Sequence, residues 1–178
     1  PECLSFLFKS LPAQNFFVDT VSVAKASRIT PFLSHIHSLK PNLMEAQAMA
    51  GTDFGNHPTE AQLQQLAHWF ISQGVQRLYL SLGAKGLFYS DATQSFIMSP
   101  SVALDPSHIV NSNGAGDAMM AAIGDAWLQG FGAADTTMRA LACAQIAMAS
   151  ATTINTQLSP HLLHRMLKEH PCRQISLT

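Results

Sequence analysis

The chain has 178 residues, 47% hydrophobic and 12% charged, which suits one domain with a real core and is not the composition of a disordered segment. A formal charge of −1 supplies no basic footprint, which argues against nucleic acid or an anionic membrane as the main partner. Cysteines at 3, 143 and 172 are odd in number and lack metal-ligand spacing, so a reducing cytoplasm is the expected compartment.

The chain opens at Pro1 and within a few residues enters NFFVDTVS, an apolar run ending in an acid. This reads as a buried strand at about 16–21, and so abrupt a start predicts part of a longer protein. A helical segment near 23–36, an extended piece at HSLKP and a helix from Asn42 to Ala50 stopped by Gly51 follow. The clearest helix is predicted over 59–73, where Leu63, Leu66, Ala67, Phe70 and Ile71 form an i, i+3, i+4, i+7, i+8 stripe ended by Gly74. RLYLSLG reads as a buried strand, and GLFYS and SFIMS flank DATQ as a hairpin. An extended HIVNSN leads into helices near 114–129 and 133–151, and a last helix opens at Ser159-Pro160. The longest apolar stretch, Ala140 to Ala151, is interrupted by Gln145 and falls short of the roughly 20 residues of a membrane span, so it is expected to be a packed helix. Alternating strand and helix signals predict an α/β architecture with a mostly parallel sheet.

Residues 111–124, NSNGAGDAMMAAIG, place Gly114, Ala115, Gly116 and Asp117 where a helix starts. Glycine costs a helix about 1 kcal/mol relative to alanine, so local stability does not account for this choice. The first amides of a helix have no intrahelical acceptor, and with small side chains they can approach an anion such as phosphate. A carboxylate beside bound phosphate would repel it, unless its task is to take a proton from an attacking hydroxyl. The competing reading is tight helix packing plus an acid that complements the helix dipole.

LKPNLMEAQAMAG places Asn42 and Glu45 three apart on one helix face, with Pro41 fixing the approach. An amide and a carboxylate so placed could hold a hydrated Mg²⁺ over nucleotide phosphates. The alternative is a capped, solvated helix start. LSLGAKG ends a strand in a glycine turn, at the kind of strand end where open α/β sheets bind ligands, or else is a plain hairpin turn with an exposed Lys85. His161 and His164 have no further ligands nearby in sequence, Met119 and Met120 read as core filling, and Cys143 reads as a small buried apolar residue.

In order, FFVDTVS, LKPNLMEAQAMAG, LYLSLGAKGLFYS and NGAGDAMMAAI resemble the ribokinase-like, or PfkB, carbohydrate and nucleoside kinases over about residues 16–125. The resemblance implies a three-layer αβα fold, with residues 1–178 as the C-terminal, nucleotide-binding and catalytic-base part of a single kinase domain whose N-terminal substrate and lid part is absent. It implies ATP and Mg²⁺ as cofactors and a small-molecule sugar or nucleoside as acceptor, and it leaves a homodimer open. Asp117 would be the catalytic base, the Gly114, Ala115 and Gly116 amides the anion hole, and Asn42 and Glu45 the organisers of magnesium and phosphate. Ser81, Gly83 and Gly86 would lie along the ATP site. The wording is nearest that of members acting on pseudouridine, so its 5′-hydroxyl is the expected acceptor; another sugar or nucleoside, or a non-catalytic nucleotide-binding fragment, are the alternatives. Where relatives carry an acid that helps form a monovalent-cation site this chain has Asn111, which places that cation in doubt.

Overall fold

A computed structural model describes residues 2–101 and 109–177. The chain divides into two compact units, the first comprising Pro1–Leu82, Phe88–Phe96 and Ser176–Thr178, the second Gly83–Leu87 and Ile97–Ile175.

In the first unit, helix α1 (Glu2–Ser10) precedes strand β1 (Phe16–Asp19). Its buried Phe8 meets the Phe16 ring edge-on at 4.6 Å and stacks on His35 at 5.2 Å. The segment expected to be helical over 23–36 is broken into a single turn, α2 (Val23–Ala26), and a 3-10 helix (Thr30–His35) whose first turn contains Pro31. Strand β2 (Ile36–Lys40), helix α3 (Leu43–Ala50), helix α4 (Glu60–Ser72) and strand β3 (Arg77–Ser81) follow. β1 pairs with β2 and β2 with β3, both parallel. All five residues of β2 and the middle three of β3 are buried, as expected of parallel strands covered on both faces.

The stripe read from α4 buries Leu63, Leu66, Ala67 and Phe70. Thr59 and Gln62 close that helix with a reciprocal capping box. Gly51 ends α3 in the left-handed conformation, φ 65°. Strand β4 (Leu87–Ser90) turns back into β5 (Ser95–Pro100) through Asp91–Gln94. There Asp91 Oδ1 accepts from the amides of Thr93 and Gln94, and the Asp91 amide donates to the Gln94 carbonyl at 3.0 Å. The strands β1 to β5 follow one another in the order β1-β2-β3-β4-β5.

In the second unit, helices α5 (Ala115–Leu128) and α6 (Ala133–Met148) pack together through small residues. Ala122, Ile123 and Ala126 of α5 and Ala140, Leu141, Ala144 and Ala147 of α6 are buried. Helix α7 (Pro160–Glu169) packs on α6, with Ser159 accepting from the Leu162 amide as its N-cap. Strand β6 (Cys172–Ser176) pairs with β5. Of the HIVNSN stretch, residue 108 lies outside the described residues and 109–113 form no strand. The Val110 and Asn111 amides both donate to the Met148 carbonyl at the end of α6, and Asn111 Oδ1 accepts from the Asn113 amide, so a helix end and a local side chain satisfy this segment. Cys143 is buried on α6, and burial pushes its thiol up to about 11.

Candidate active site

In the first unit, the carboxyl ends of three parallel strands gather one cluster of polar side chains. Asp19, the last residue of β1, is in register with Lys40, the last of β2, and their side chains form an ion pair at 2.8 Å with Lys40 almost fully buried. Removing one partner of such a buried pair typically costs about 3–5 kcal/mol, because the other charge is then stranded. Immediately after β2, Asn42 forms an isolated parallel bridge with Ser81 at the end of β3, and the Ser81 amide donates to the Pro41 carbonyl at 3.0 Å. The start of α3 is thereby fixed to the sheet at the strand ends, where open α/β sheets bind ligands.

Asn42 and Glu45 share a helix face, as their spacing predicts, and they are also joined by a capping box. The Glu45 amide donates to Asn42 Oδ1 and the Asn42 amide to Glu45 Oε2, both at 2.9 Å. The capped helix start is therefore present, with Asn42 and Met44 exposed, while Glu45 on the same turn is only 4% exposed. A second donor explains how the carboxylate tolerates burial. Thr20, itself buried, donates its hydroxyl to the same Oε2 at 2.5 Å. Thr20 is followed by Val21, a β-branched residue at φ 64°, in a three-residue turn that the Ser22 amide closes onto the Thr20 carbonyl at 2.7 Å. Asp19, Thr20, Val21 and Lys40 carried no assigned role in the sequence reading. The motif VDTVS was visible, but its contact with Glu45 spans 25 positions and leaves no periodic trace.

This donor set fits a magnesium ion held partly through water. Both hydrogen bonds to the Glu45 carboxylate fall on Oε2 and none on Oε1 among the described residues, while Asn42 Oδ1 takes a single amide. Magnesium is commonly bound by one or two carboxylates, with waters and substrate phosphates completing its shell.

In the second unit, Gly114 is the N-cap of α5 with φ 84°, and no side chain caps the helix. A Cβ at Gly114 would collide with the Thr153 carbonyl oxygen, so glycine is required there by both backbone conformation and packing. The Ala115 amide leans toward the Ser112 carbonyl at 3.4 Å, and the Ala118 amide donates to Gly114 at 2.9 Å. Gly116 and Asp117 occupy the rest of the first turn, where helix amides have no intrahelical acceptor. The Asp117 side chain is exposed. Gly83 lies in a short 3-10 turn, Gly83–Lys85. Gly86 has φ 101° and sits against the Met98 backbone, while Ser99 donates to the Lys85 carbonyl at 2.9 Å. These contacts hold the turn to β5 and account for glycine at 86.

Residues 1–160 match the pfkB family carbohydrate kinases. The chain belongs to that family. Among curated pfkB relatives, it is 33% identical over 158 residues to a pseudouridine kinase of Escherichia coli K12, covering 89% of this chain and 49% of that protein. It is also 33% identical over 160 residues to the uncharacterized sugar kinase YeiI of the same organism, covering 89% and 42%. The chain thus spans about half the length of the curated relatives it matches. Among solved structures it superposes on a candidate sugar kinase from Clostridium perfringens with a TM-score of 0.91 at 24% identity, over 99% of this chain and 54% of that one. Against the Thermotoga maritima ribokinase the TM-score is 0.70 at 21% identity, over 91% and 52%. The fold is ribokinase-like α/β.

Proposed function

We propose that the protein carrying this chain is an ATP-dependent, Mg²⁺-requiring kinase that transfers the γ-phosphate to a ribosyl 5′-hydroxyl, with pseudouridine as the acceptor. The observation that carries the reading is the start of α5 in a pfkB-family chain: an uncapped helix N-terminus with a glycine cap and an exposed carboxylate in its first turn. Asp117 takes the proton of the acceptor hydroxyl as its oxygen attacks phosphorus, and the bond between the γ-phosphorus and the bridging oxygen breaks to leave ADP. The amides of Gly114, Ala115 and Gly116 face the negative charge on the transferring group. Glu45 and Asn42 hold the hydrated cation, which when bound neutralises phosphate charge. Ser81, Gly83 and Gly86 lie along the nucleotide.

Pseudouridine is supported by the 33% identity to a kinase of that name. The test is kcat/KM for pseudouridine, uridine and ribose at saturating Mg-ATP in the protein that carries this chain. Pseudouridine is expected to lead, and a wide preference for ribose overturns the acceptor while leaving the kinase standing. A second reading, nucleotide binding without turnover by these 178 residues alone, is favoured by the coverage of about half of each curated relative. Holding an acceptor in line is worth up to about 7–11 kcal/mol, and a chain unable to do so would turn over very slowly. Pseudouridine-dependent ATP consumption by the 178-residue chain would exclude that second reading.

A further inference from the structure

We propose that Thr20 is the positioning residue of the Glu45 carboxylate: its hydroxyl and the Asn42 amide fix Oε2 together, so that Oε1 is the oxygen turned to a hydrated divalent cation. The inference rests on the metal-holding role of Glu45 given above and adds the device that aims it.

A glutamate side chain has three free torsions, and a capping box alone restrains it through one donor on a helix terminus that is usually wet. Glu45 has a second donor on the same oxygen, from a residue 25 positions upstream on the neighbouring strand end. Two donors converging on one oxygen, at 2.5 and 2.9 Å, fix the carboxylate's place and also its rotation about the last torsion. Oε1 then has a defined direction with no hydrogen bond among the described residues.

Thr20 is itself fixed from three sides. Its backbone follows β1, whose last residue is locked by the ion pair of Asp19 with Lys40. Its carbonyl closes the turn to Ser22 at 2.7 Å. Its side chain leaves the surface while the next one, Val21, is 70% exposed. That arrangement puts Val21 in the left-handed region without the packing that usually recompenses a β-branched residue there, and strain of this kind concentrates where a local geometry is needed for function. Groups that orient a metal-binding carboxylate commonly change metal affinity about 10- to 100-fold when removed.

The experiment compares Thr20→Val, which keeps the shape and deletes the hydroxyl, with Thr20→Ser, which keeps the hydroxyl. The probe is Mn²⁺ with ADP, followed by the loss of the free Mn²⁺ EPR signal, because Mn²⁺ accepts the same oxygen ligands as Mg²⁺. The Mg²⁺ dependence of turnover is read in parallel. Thr20→Val should weaken Mn²⁺ binding about 10-fold or more and raise the Mg²⁺ needed for half-maximal rate, with kcat at saturating Mg²⁺ largely retained. Thr20→Ser should restore most of both. If Thr20→Val does not fold by circular dichroism, Thr20→Ala carries the same comparison. A folded hydroxyl-less variant that binds Mn²⁺ as tightly as the starting protein overturns the role of Thr20. A Thr20 effect on Mn²⁺ binding in a protein that phosphorylates no acceptor supports the inference and overturns the kinase reading. A starting protein that binds no Mn²⁺ with ADP overturns both.

Discussion

The two carboxylates singled out in this chain, Glu45 at the start of α3 and Asp117 at the start of α5, occupy the same helical position and are treated in opposite ways. Each is the third residue of its helix. Glu45 is buried, takes two donors on one oxygen and returns the cap of Asn42. Asp117 is exposed, and its helix has no side-chain cap at all. An N-terminal turn closed by side chains has used its donors internally and holds its acid in one orientation. A turn left open keeps its amides for something else and lets its acid move. The first arrangement suits a group that holds a cation in place; the second suits a group that must pick up a proton and release it.

That contrast can be broken in three places. The largest effect is expected at Asp117→Asn, which should lower kcat by about 10²- to 10⁴-fold with ATP binding and melting temperature nearly unchanged, measured by steady-state kinetics and nucleotide titration. Retention of more than about a tenth of kcat would mean the open turn does not carry the base. Next is Gly114→Ala. The left-handed backbone and the Thr153 carbonyl together should cost about 1–3 kcal/mol, read as a fall in the denaturant midpoint without a change in slope. An unchanged midpoint would show that the open turn relaxes freely. The smallest is Asn42→Ala, which removes the acceptor for the Glu45 amide and should cost about 1 kcal/mol of stability. If it costs nothing, α3 is held by its bridge to Ser81 rather than by its cap.

Much of this was legible from residue order. The α4 stripe, Gly51 as the stop of α3 and Ser159-Pro160 as the start of α7 are local signals, and they fall within a residue or two of the observed elements. The shared face of Asn42 and Glu45 follows from helical spacing alone. Burial of Glu45 does not, since the donor that makes it tolerable lies on another strand. The left-handed turn at Val21 was hidden for a different reason: no glycine or asparagine marks it. Helix α1 escaped the reading because it is only nine residues long and buries a single residue, Phe8. Strand β6 reads Cys-Arg-Gln-Ile-Ser, half-exposed to exposed throughout, with no apolar run to announce it. Roles at Asp117 and Glu45 came from family resemblance, because neither residue's type nor its spacing separates a base from a cap.

The strand order has a consequence for how the sheet is assembled. From β1 to β5 each strand lies beside the one that precedes it in the chain. Each of β2 to β5 finds its preceding neighbour already synthesised, which favours rapid formation, whereas the other neighbour of β5, strand β6, comes late in the chain. During synthesis, β2 can add to β1 and β3 to β2 in the order they leave the ribosome. The buried pair of Asp19 and Lys40 then acts as a check on register: the two side chains meet at 2.8 Å when the last residues of β1 and β2 lie opposite one another.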